Sequence, residues 1–483
     1  MENKDVSGRK GPSRRVFLSA SAATAAAAPI VAGAASASAA SIHKGSSLPH
    51  HIHDKKELRA ALAEIDPDRI KTIISTLVGF GTRHTASSQT DPNRGIGAAI
   101  AYVTGLMNGF AAASGGRMTV QQQTFTQPVS SNIPIPTSIT NVIATIKGTA
   151  TPERFYVVTG HLDSRCTDVL NFTDDAPGAD DDASGVAVVL ELARVLSKRT
   201  FAGTIVLAAV DGEEQGLYGS TFMANQMHAA GDDVQAMFSN DIVGASQAFD
   251  GTPPDPHTLR LFVEGVPTAA TANQIAIIQA VGGENDSSAR QLARYVLASA
   301  PKDLTDMNVR VIWRRDRYLR GTDNLPFLRN GYPAARFTEP RENFNHEHRN
   351  VEVVNGVQLG DLLEFVDFNY VARVARVNAA TLWALASSPG TPKGVLIHVT
   401  APPTFSGTNL TTLSWNANPE SNIAFYEVVM RETTTPDWTS ATNVGNVTTV
   451  TLDISKDNVQ FGVRAVDTNG RRSPVAFPTA VST

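Results

Sequence analysis

Short apolar runs rich in β-branched residues alternate with helical patterns through the middle of the chain, and this alternation most constrains the fold. The runs Arg154 to Thr159 and Gly203 to Val210 have the composition of strands buried in a parallel sheet. Between them, apolar residues recur at helical spacing from Gly185 to Leu196, after Asp182 and Ser184 as capping residues. Strand, helix and strand in succession predict a right-handed crossover between parallel strands.

The same patterns continue along the chain and set the fold class. Further strands are predicted at residues 235–240, 259–264, 309–313 and 334–338, and helices at 96–110, 287–298 and 358–385. These elements predict an α/β domain over residues 60–388, built on a mixed, mostly parallel sheet sandwiched by helices.

The sequence changes character after Ser388. Residues 389–402 are rich in Pro, Gly and Thr, and alternating segments around Trp415, Tyr426 and Val463 follow. Strands at this spacing are typical of a small all-β sandwich, and residues 393–483 resemble a fibronectin type III module. We expect a spacer or a module that binds a surface or polymer, because no cluster of ionisable residues indicates a second active site.

The first 40 residues have the order of an export signal. Arg14 and Arg15 are followed by an alanine-rich apolar run and then by small residues at 36–39, which resembles a twin-arginine signal. The apolar run contains Pro29 and Gly33 and is too short to span a bilayer. We therefore expect a secreted, extracellular protein that is not an integral membrane protein, with the signal 1–40 removed near residues 37–41 and a linker or short propeptide at 41–59.

Charge and cysteine content exclude two further possibilities. The chain has a formal net charge of -5, and the export signal holds five basic and two acidic residues, so the remainder is near -8. An acidic protein disfavours a nucleic-acid partner, whose binding requires a basic face. The single cysteine, Cys166, cannot form an internal disulfide, so burial must stabilise the fold.

Ionisable side chains follow the ends of the predicted strands. They are His161 and Asp163, the acidic run 180–182, the pair Glu213 and Glu214, Asp241, and the histidines His346 and His348. Ligands of open α/β sheets gather at the carboxyl ends of the strands. Each group alone is more often a solvated turn or a packed side chain. Together, imidazoles and carboxylates at successive strand ends suit zinc, and a carboxylate that bridges two cations would use the acidic run.

Three motifs resemble those of a known family. The segments HLDS at 161–164, PGADDDASG at 177–185 and EEQGLYGS at 213–220 resemble the co-catalytic two-zinc aminopeptidases of bacteria. That family includes leucine aminopeptidases, glutamate carboxypeptidases and glutaminyl cyclases. The resemblance covers roughly residues 60 to 385 and implies a zinc exopeptidase fold.

The resemblance implies two Zn²⁺ ions and leaves calcium open. The metal ligands would be His161, Asp181, Glu214 and Asp241, with Asp181 bridging both ions. The last ligand in the family is a histidine on a loop after a strand. His348 is favoured by its distance from residues 355–357, and His346 is the alternative.

The resemblance also implies the catalytic residues. Glu213 would be the general base on a metal-bound water, and Asp163 would be the carboxylate that orients His161. Tyr318 and Arg320 could help to hold the oxyanion, or could belong to a plain surface loop. The Ser-Asp-His stretch of the family is altered here to Thr-Asp-Asn at residues 322–324, which leaves the roles of Asp323 and Asn324 open.

The sequence therefore predicts a zinc-dependent aminopeptidase that releases N-terminal, apolar residues from peptides with a free N-terminus. Two alternatives stay open. A carboxypeptidase or glutaminyl cyclase could share the fold, and basic side chains placed to hold a substrate carboxylate would favour the carboxypeptidase. A catalytically silent binding protein is the other alternative, and Glu213 counts against it because a structural role needs no base.

Overall fold

The computed structural model of the chain describes residues 55–247, 250–399 and 410–482. The predicted export signal, residues 1–40, and residues 41–54 of the predicted linker lie outside the described residues. The described part begins with helix α1 (Lys55–Ala63), whose Leu58, Ala61 and Leu62 are buried in the main core. Residues 55–59 of the predicted linker are thus already part of a helix.

The α/β part of the described chain contains ten α-helices and ten strands. After α1, the helices are α2 (Pro67–Gly79), α3 (Ile96–Ala113), α4 (Ala183–Leu196), α5 (Tyr218–Ala230), α6 (Ala272–Ala280), α7 (Ser288–Ser299), α8 (Lys302–Thr305), α9 (Asn324–Arg329) and α10 (Phe368–Ser387). The strands are β1 (Met118–Gln127), β2 (Thr137–Ile146), β3 (Thr151–His161), β4 (Gly203–Val210), β5 (Asp233–Asn240), β6 (Thr258–Phe262), β7 (Asn308–Ile312), β8 (Ala334–Thr338), β9 (Glu352–Val354) and β10 (Val357–Leu359).

Eight of these strands form one sheet in the order β1-β2-β4-β3-β5-β8-β6-β7, and β9 pairs with β10 in a separate hairpin. The pairs β4–β3, β3–β5, β5–β8 and β6–β7 are parallel. The pairs β1–β2, β2–β4 and β8–β6 are antiparallel. The predicted mixed, mostly parallel sheet is confirmed, and its strands β3, β4 and β5 form a parallel centre.

Helix α4 lies at the middle of the core because two glycines let it approach the sheet. A Cβ on Gly185 would lie 2.2 Å from the carbonyl oxygen of Asn240, and one on Gly160 would lie 2.4 Å from the backbone of Gly185. Side chains at these positions would force the helix away from β3 and β5. The close approach brings the acidic run before α4 to the ends of the central strands.

Helix α3 is long and apolar enough to cross a membrane by length and composition, with a hydropathy of 1.4 over 18 residues. Its side chains Ile96, Val103 and Met107 belong to the main hydrophobic core. It packs against β1, β2 and α4, so it serves the α/β domain as a core helix.

The prediction of a helix over 358–385 was wrong for its first ten residues. In the structure α10 begins at Phe368, and Asp367 caps it by accepting a hydrogen bond from the Tyr370 N–H at 3.0 Å. Upstream, β10 pairs with β9, and Gly360 has a φ of +105° that no helix contains. The apolar spacing extends upstream of the true start of α10, because apolar residues before Phe368 also cover the core.

The C-terminal part forms two further sheets, which confirms the predicted all-β architecture. Its strands are β11 (Leu396–Val399), β12 (Leu410–Ser414), β13 (Ile423–Glu432), β14 (Ser440–Gly445), β15 (Thr449–Asp453), β16 (Val459–Asp467) and β17 (Thr479–Ser482). They form a four-stranded sheet, β15-β12-β11-β17, and a three-stranded sheet, β14-β13-β16. Trp415, Tyr426 and Phe461 are buried in one core of this β domain. The likeness to a fibronectin type III module stays a prediction.

The β domain packs on helix α7 of the α/β domain through polar contacts. The Trp438 indole N–H donates to Gln291 Oε1 at 2.8 Å, and Arg431 donates to Asp286 in a buried ion pair. Both contacts hold the start of α7, which carries a residue of the cavity described below.

Candidate metal centre

The sequence-predicted site residues meet at the carboxyl ends of β3, β4 and β5. His161 is the last residue of β3, Glu213 and Glu214 follow β4, and Asp241 follows β5. Because these strands are parallel neighbours, their ends lie at one edge of the sheet.

Asp181 lies at the centre of this group, between the two histidines. Its Oδ1 is 2.9 Å from His161 Nε2, and its Oδ2 is 2.9 Å from His348 Nε2. His348 Nε2 also lies 3.0 Å from Glu214 Oε1. The potential ligand atoms form two sets, each with all its atoms within 4.8 Å of one another: His161, Asp181 and Asp241, and Asp181, Glu214 and His348. Asp181 is common to both sets.

The residues of these two sets fit a pair of zinc ions. The side chains of Asp181 and Glu214 are only 5% and 4% exposed, and within the described part of the chain their ion-pair partners are the two histidines alone. Buried carboxylates need a neutralising cation, and imidazole nitrogen with carboxylate oxygen is a donor set that zinc takes. One carboxylate with a histidine on each of its oxygens is suited to bridging.

The surroundings of both histidines favour their protonated, positively charged forms. Burial lowers the pKa of His348, but the charge of Glu214 and the hydrogen bond to Asp181 outweigh burial and raise this pKa to about 11. Burial also lowers the pKa of His161, and the charge of Asp182 with the hydrogen bonds to Asp163 and Asp181 raises it well above its usual range. Metal binding would therefore release protons from this site.

Asp163 holds the loop that carries Glu213 and Glu214. Its Oδ1 accepts hydrogen bonds from the N–H groups of Gly212 at 2.9 Å and Glu213 at 3.1 Å, and its Oδ2 accepts one from Glu214 at 2.9 Å. The ring of His161 lies nearer to the Asp163 carbonyl oxygen, 3.1 Å from Nδ1, than to the carboxylate at 3.7 Å. The expected orienting contact to His161 is thus made by the Asp163 backbone, while the carboxylate positions the loop.

Glu213 lies near His161 and among other carboxylates of the centre. Burial and the charges of Asp241 and Glu214 raise the pKa of Glu213 well above its usual range. The charge of His161 acts in the opposite direction but does not outweigh them. Because Asp163 binds the N–H groups of the loop, the Glu213 backbone is fixed beside both ligand sets.

The backbone of the acidic run is held by Asp361, which the sequence analysis missed. Asp361 accepts hydrogen bonds from the N–H groups of Asp180 and Asp181, the latter at 2.7 Å. Asp182 belongs to neither ligand set and accepts hydrogen bonds from the N–H groups of His161 at 2.8 Å and Gly185 at 3.0 Å. The carboxylates of Asp181 and Asp182 thus have different partners, the two histidine rings for Asp181 and backbone N–H groups for Asp182.

Arg336 is a second residue that the sequence analysis missed. This fully buried guanidinium donates from Nη2 to Asp241 Oδ1 at 2.9 Å and to the Asp241 carbonyl oxygen at 3.0 Å. Its Nη1 donates to Asp316 Oδ1 at 3.0 Å. These two contacts from one nitrogen fix Asp241. An arginine inside an otherwise apolar strand is the sequence signal that could have indicated this residue.

The two histidines of the open alternative have different surroundings. His348 contacts Asp181 and Glu214, as described above. The ring of His346 instead stacks on Phe365, with centroids 3.6 Å apart and planes at 7°. The structure brings His348, and not His346, to the ligand sets.

The remaining candidates lie around the centre. Asp323 and Asn324 are buried at the start of α9, and burial raises the pKa of Asp323 to about 7. Arg320 binds Glu342 at 3.4 Å, whereas the side chain of Tyr318 is 79% exposed. None of these side chains makes an ion pair with a ligand in the described residues.

Comparison with known proteins agrees with this architecture. The profile of the family described as Peptidase family M28 matches residues 141–353. A probable zinc metalloprotease of Leptosphaeria maculans is 49% identical over 424 residues, which cover 88% of this chain and 97% of the relative. A probable zinc metalloprotease of Pyricularia oryzae is 49% identical over 428 residues, which cover 87% and 84%. The solved LapA aminopeptidase of Legionella pneumophila has a TM-score of 0.50 at 19% identity, over 71% of this chain and 78% of that one, and shows the shared fold.

Proposed function

We propose, since this chain belongs to peptidase family M28, that it is an aminopeptidase with two zinc ions bridged by Asp181. The observation that carries the proposal is the carboxylate of Asp181, with one histidine nitrogen on each oxygen at 2.9 Å. Two ligand sets that share one carboxylate support two ions rather than one. His161 with Asp241 would complete the first set, and His348 with Glu214 the second.

Zinc bound in these sets would supply a Lewis acid that polarises a peptide carbonyl and lowers the pKa of water. The side chain of Glu213 would accept the proton of the attacking water and pass it to the leaving amine. Asp163 would keep Glu213 at the position that both transfers require.

A free N-terminus and an apolar first residue are the substrate features that we propose. We also propose that residues 1–40 direct export from the cytoplasm, which the order of charged, apolar and small residues supports. The β domain would then act outside the cell as a spacer or binding module.

Hydrolysis of leucine p-nitroanilide, compared with its N-acetyl derivative, tests the proposal. We expect cleavage of the free amine alone, loss of activity with a chelator and recovery with added zinc. Cleavage of neither compound by zinc-loaded protein would contradict an aminopeptidase.

One observation favours a carboxypeptidase as the second candidate. Five arginines line a cavity beside Asp316, the residue that binds Arg336. Basic side chains of this kind can hold the terminal carboxylate of a peptide. Cleavage of N-acetylated peptides with a free carboxyl end would favour this candidate.

A further inference from the structure

Four consecutive polar residues, Thr82 to Thr85, are buried in the loop that joins α2 to α3. This segment 82–85 lies upstream of residues 141–353, the stretch that the family profile matches. Thr82 pairs with Ala176 in an isolated β-bridge, which brings the segment beside the chain that leads to the acidic run. Burial of polar side chains is unfavourable unless they are hydrogen-bonded, so their partners indicate what the segment does.

The side chain of Arg83 joins three separate stretches of backbone. Its Nε donates to the carbonyl oxygen of Leu162 at 2.8 Å. Its Nη1 donates to the carbonyl oxygen of Pro177 at 2.5 Å, and its Nη2 donates to that of Gly178 at 2.8 Å. A longer bond of 3.4 Å from Nη1 reaches the carbonyl oxygen of Leu77 in α2. The guanidinium thus uses all three of its nitrogens on the backbone.

Two of these stretches carry candidate zinc ligands. Leu162 directly follows His161, and Gly178 lies three residues before Asp181. A guanidinium is planar and rigid, so it holds the groups that it binds at fixed separations. One side chain therefore links the backbone beside His161 to the backbone that leads to Asp181.

The packing around Gly178 leaves this link no room to shift. Gly178 has a φ of +52°, and a Cβ there would lie 2.5 Å from the Asp181 carbonyl oxygen, 2.6 Å from Ser164 Cβ and 2.8 Å from Arg83 Nη2. Ser164 Oγ in turn accepts from the Arg83 N–H at 3.0 Å and donates to the carbonyl oxygen of Ala176 at 2.7 Å. The backbone of Asp181 and the side chains of Ser164 and Arg83 thus meet at one glycine.

Arg83 supplies a buried positive charge without occupying a carboxylate. Within the part of the chain that the structure describes, it forms no ion pair, and its side chain donates only to backbone carbonyl oxygens. Burial lowers the pKa of Arg83 to about 10, against the charges of Asp361 and Asp163, so the group is positive at neutral pH. Because Arg83 takes no carboxylate as a partner, the oxygens of Asp181 remain available to metal ions.

His84 and Thr85 extend the contacts of the segment to further positions. His84 Nδ1 accepts from the Ala86 N–H at 3.0 Å, so its Nε2 carries the proton and donates to the carbonyl oxygen of Val169 at 2.9 Å. Thr85 Oγ1 donates at 2.9 Å to Oδ1 of Asp211, the residue directly after β4. Segment 82–85 thus binds the loops that follow both β3 and β4.

We infer that segment 82–85 positions the metal centre, with Arg83 as its main positioning residue. Arg83 keeps the backbones of His161 and Asp181 at the spacing that a shared metal ion requires, and Thr85 steadies the turn after β4. Contacts behind metal ligands orient those ligands and tune the affinity for the metal. The inference rests on the proposed two-zinc centre, and it concerns how the ligands are held rather than which peptide is cut.

The zinc affinity of the full-length chain, measured by competition with a chelator, tests this role. Arg83→Lys keeps the charge, but a compact ammonium group cannot hold three carbonyl groups at the spacing of a guanidinium. We expect zinc to bind about 10- to 100-fold more weakly, the range typical of losing a contact behind a ligand. Cobalt loaded in place of zinc should show a changed visible absorption spectrum, because that spectrum follows the ligand geometry.

Arg154→Lys is the matched control. Arg154 is also buried and donates to a backbone carbonyl oxygen, that of Ser388 at 2.7 Å. It lies on β3 seven residues before His161, which is about 23 Å at the rise of a strand. The control should lower the urea midpoint of unfolding and keep the zinc affinity and the cobalt spectrum. A zinc affinity of Arg83→Lys within threefold of wild type, or an equal loss in both variants, would overturn the inference.

A milder pair of variants covers the case in which Arg83→Lys is not recovered as a folded chain. Thr85→Val removes only the hydroxyl that donates to Asp211 and should weaken zinc binding by about tenfold. Its control is Thr411→Val in the β domain, where a buried hydroxyl donates to the Ile454 carbonyl oxygen at 2.6 Å. Zinc binding in Thr85→Val as tight as in this control would then refute the positioning role.

The zinc measurement separates this inference from the proposed function. If Arg83→Lys loses zinc affinity while the wild-type chain leaves leucine p-nitroanilide uncut, the positioning role stands and the aminopeptidase proposal fails. If the wild-type chain cuts leucine p-nitroanilide and Arg83→Lys binds zinc as tightly as wild type, the positioning role alone fails.

Discussion

Asp163→Asn should slow turnover by about 100-fold. The Asp163 carboxylate accepts three N–H groups from the loop that carries Glu213 and Glu214. An Asn could keep its oxygen toward Gly212 and Glu213 as weaker, neutral bonds. Its NH₂ group would then face the N–H of Glu214, where two donors cannot bond. A hydrogen bond to a charged group contributes about 1.5–3 kcal/mol and a neutral one about 1 kcal/mol.

The loss of one charged bond and the weakening of two others amount to about 3 kcal/mol, which is about 100-fold in rate if it falls on the transition state. The assay is kcat and KM for leucine p-nitroanilide with zinc in excess. We expect the loss mainly in kcat, because Asp163 positions the base and does not touch the substrate.

A matched control is Asp467→Asn in the β domain. The Asp467 carboxylate also accepts two backbone N–H groups, those of Asn469 at 2.9 Å and Arg471 at 2.8 Å, far from the candidate centre in sequence. This control should lower the urea midpoint of unfolding and keep kcat. A kcat for Asp163→Asn within threefold of wild type would refute the positioning role.

Three further substitutions test the roles of single contacts. Glu213→Gln should keep zinc, measured by mass spectrometry, and lose about 10² to 10⁴-fold in kcat, because proton transfer by a positioned side chain contributes that much. Arg336→Met should leave Asp241 buried without its guanidinium, so stability in urea should fall by about 3–5 kcal/mol and zinc affinity should fall with it. Trp438→Phe should cost about 1–3 kcal/mol by leaving Gln291 Oε1 without its indole donor, with little change in kcat for leucine p-nitroanilide. An unchanged kcat would contradict the expectation for Glu213→Gln. An unchanged free energy of unfolding in urea would contradict the one for Arg336→Met, and an unchanged urea midpoint the one for Trp438→Phe.

The centre of the sheet was readable from the sequence because its strands are buried on both faces. The bounds predicted for β4 and β8 match those in the structure, since such strands read as continuous apolar runs. Strand β1 was not predicted. It lies at the edge of the sheet, is rich in Thr and Gln, and has mostly exposed or half-exposed side chains.

His161, Glu214 and Asp241 could be predicted because they lie at or just after the end of a strand. Asp181 could be predicted because it belongs to the acidic run directly before α4. The partners of Asp361 and Arg336 could not be predicted, because they lie 180 and 95 positions away in the chain. Nothing near Asp361 indicates that its carboxylate reaches the acidic run. The surroundings of Arg336 read as an apolar strand, and only the fold shows that its guanidinium binds Asp241.

The cavity arginines illustrate a different limit of sequence reasoning. The segment 314–320 contains four of them, and their pattern is also typical of an exposed basic loop. Only the fold shows that Arg290, from helix α7, joins them and that Asp316 connects them to Arg336.

The zinc content of the purified chain tests the bridging role of Asp181 most directly. After reconstitution with zinc and gel filtration, we predict two zinc ions per wild-type chain by mass spectrometry, and fewer than one in Asp181→Ala with the fold retained by circular dichroism. One zinc ion per wild-type chain, or two in Asp181→Ala, would contradict a centre in which Asp181 bridges two ions.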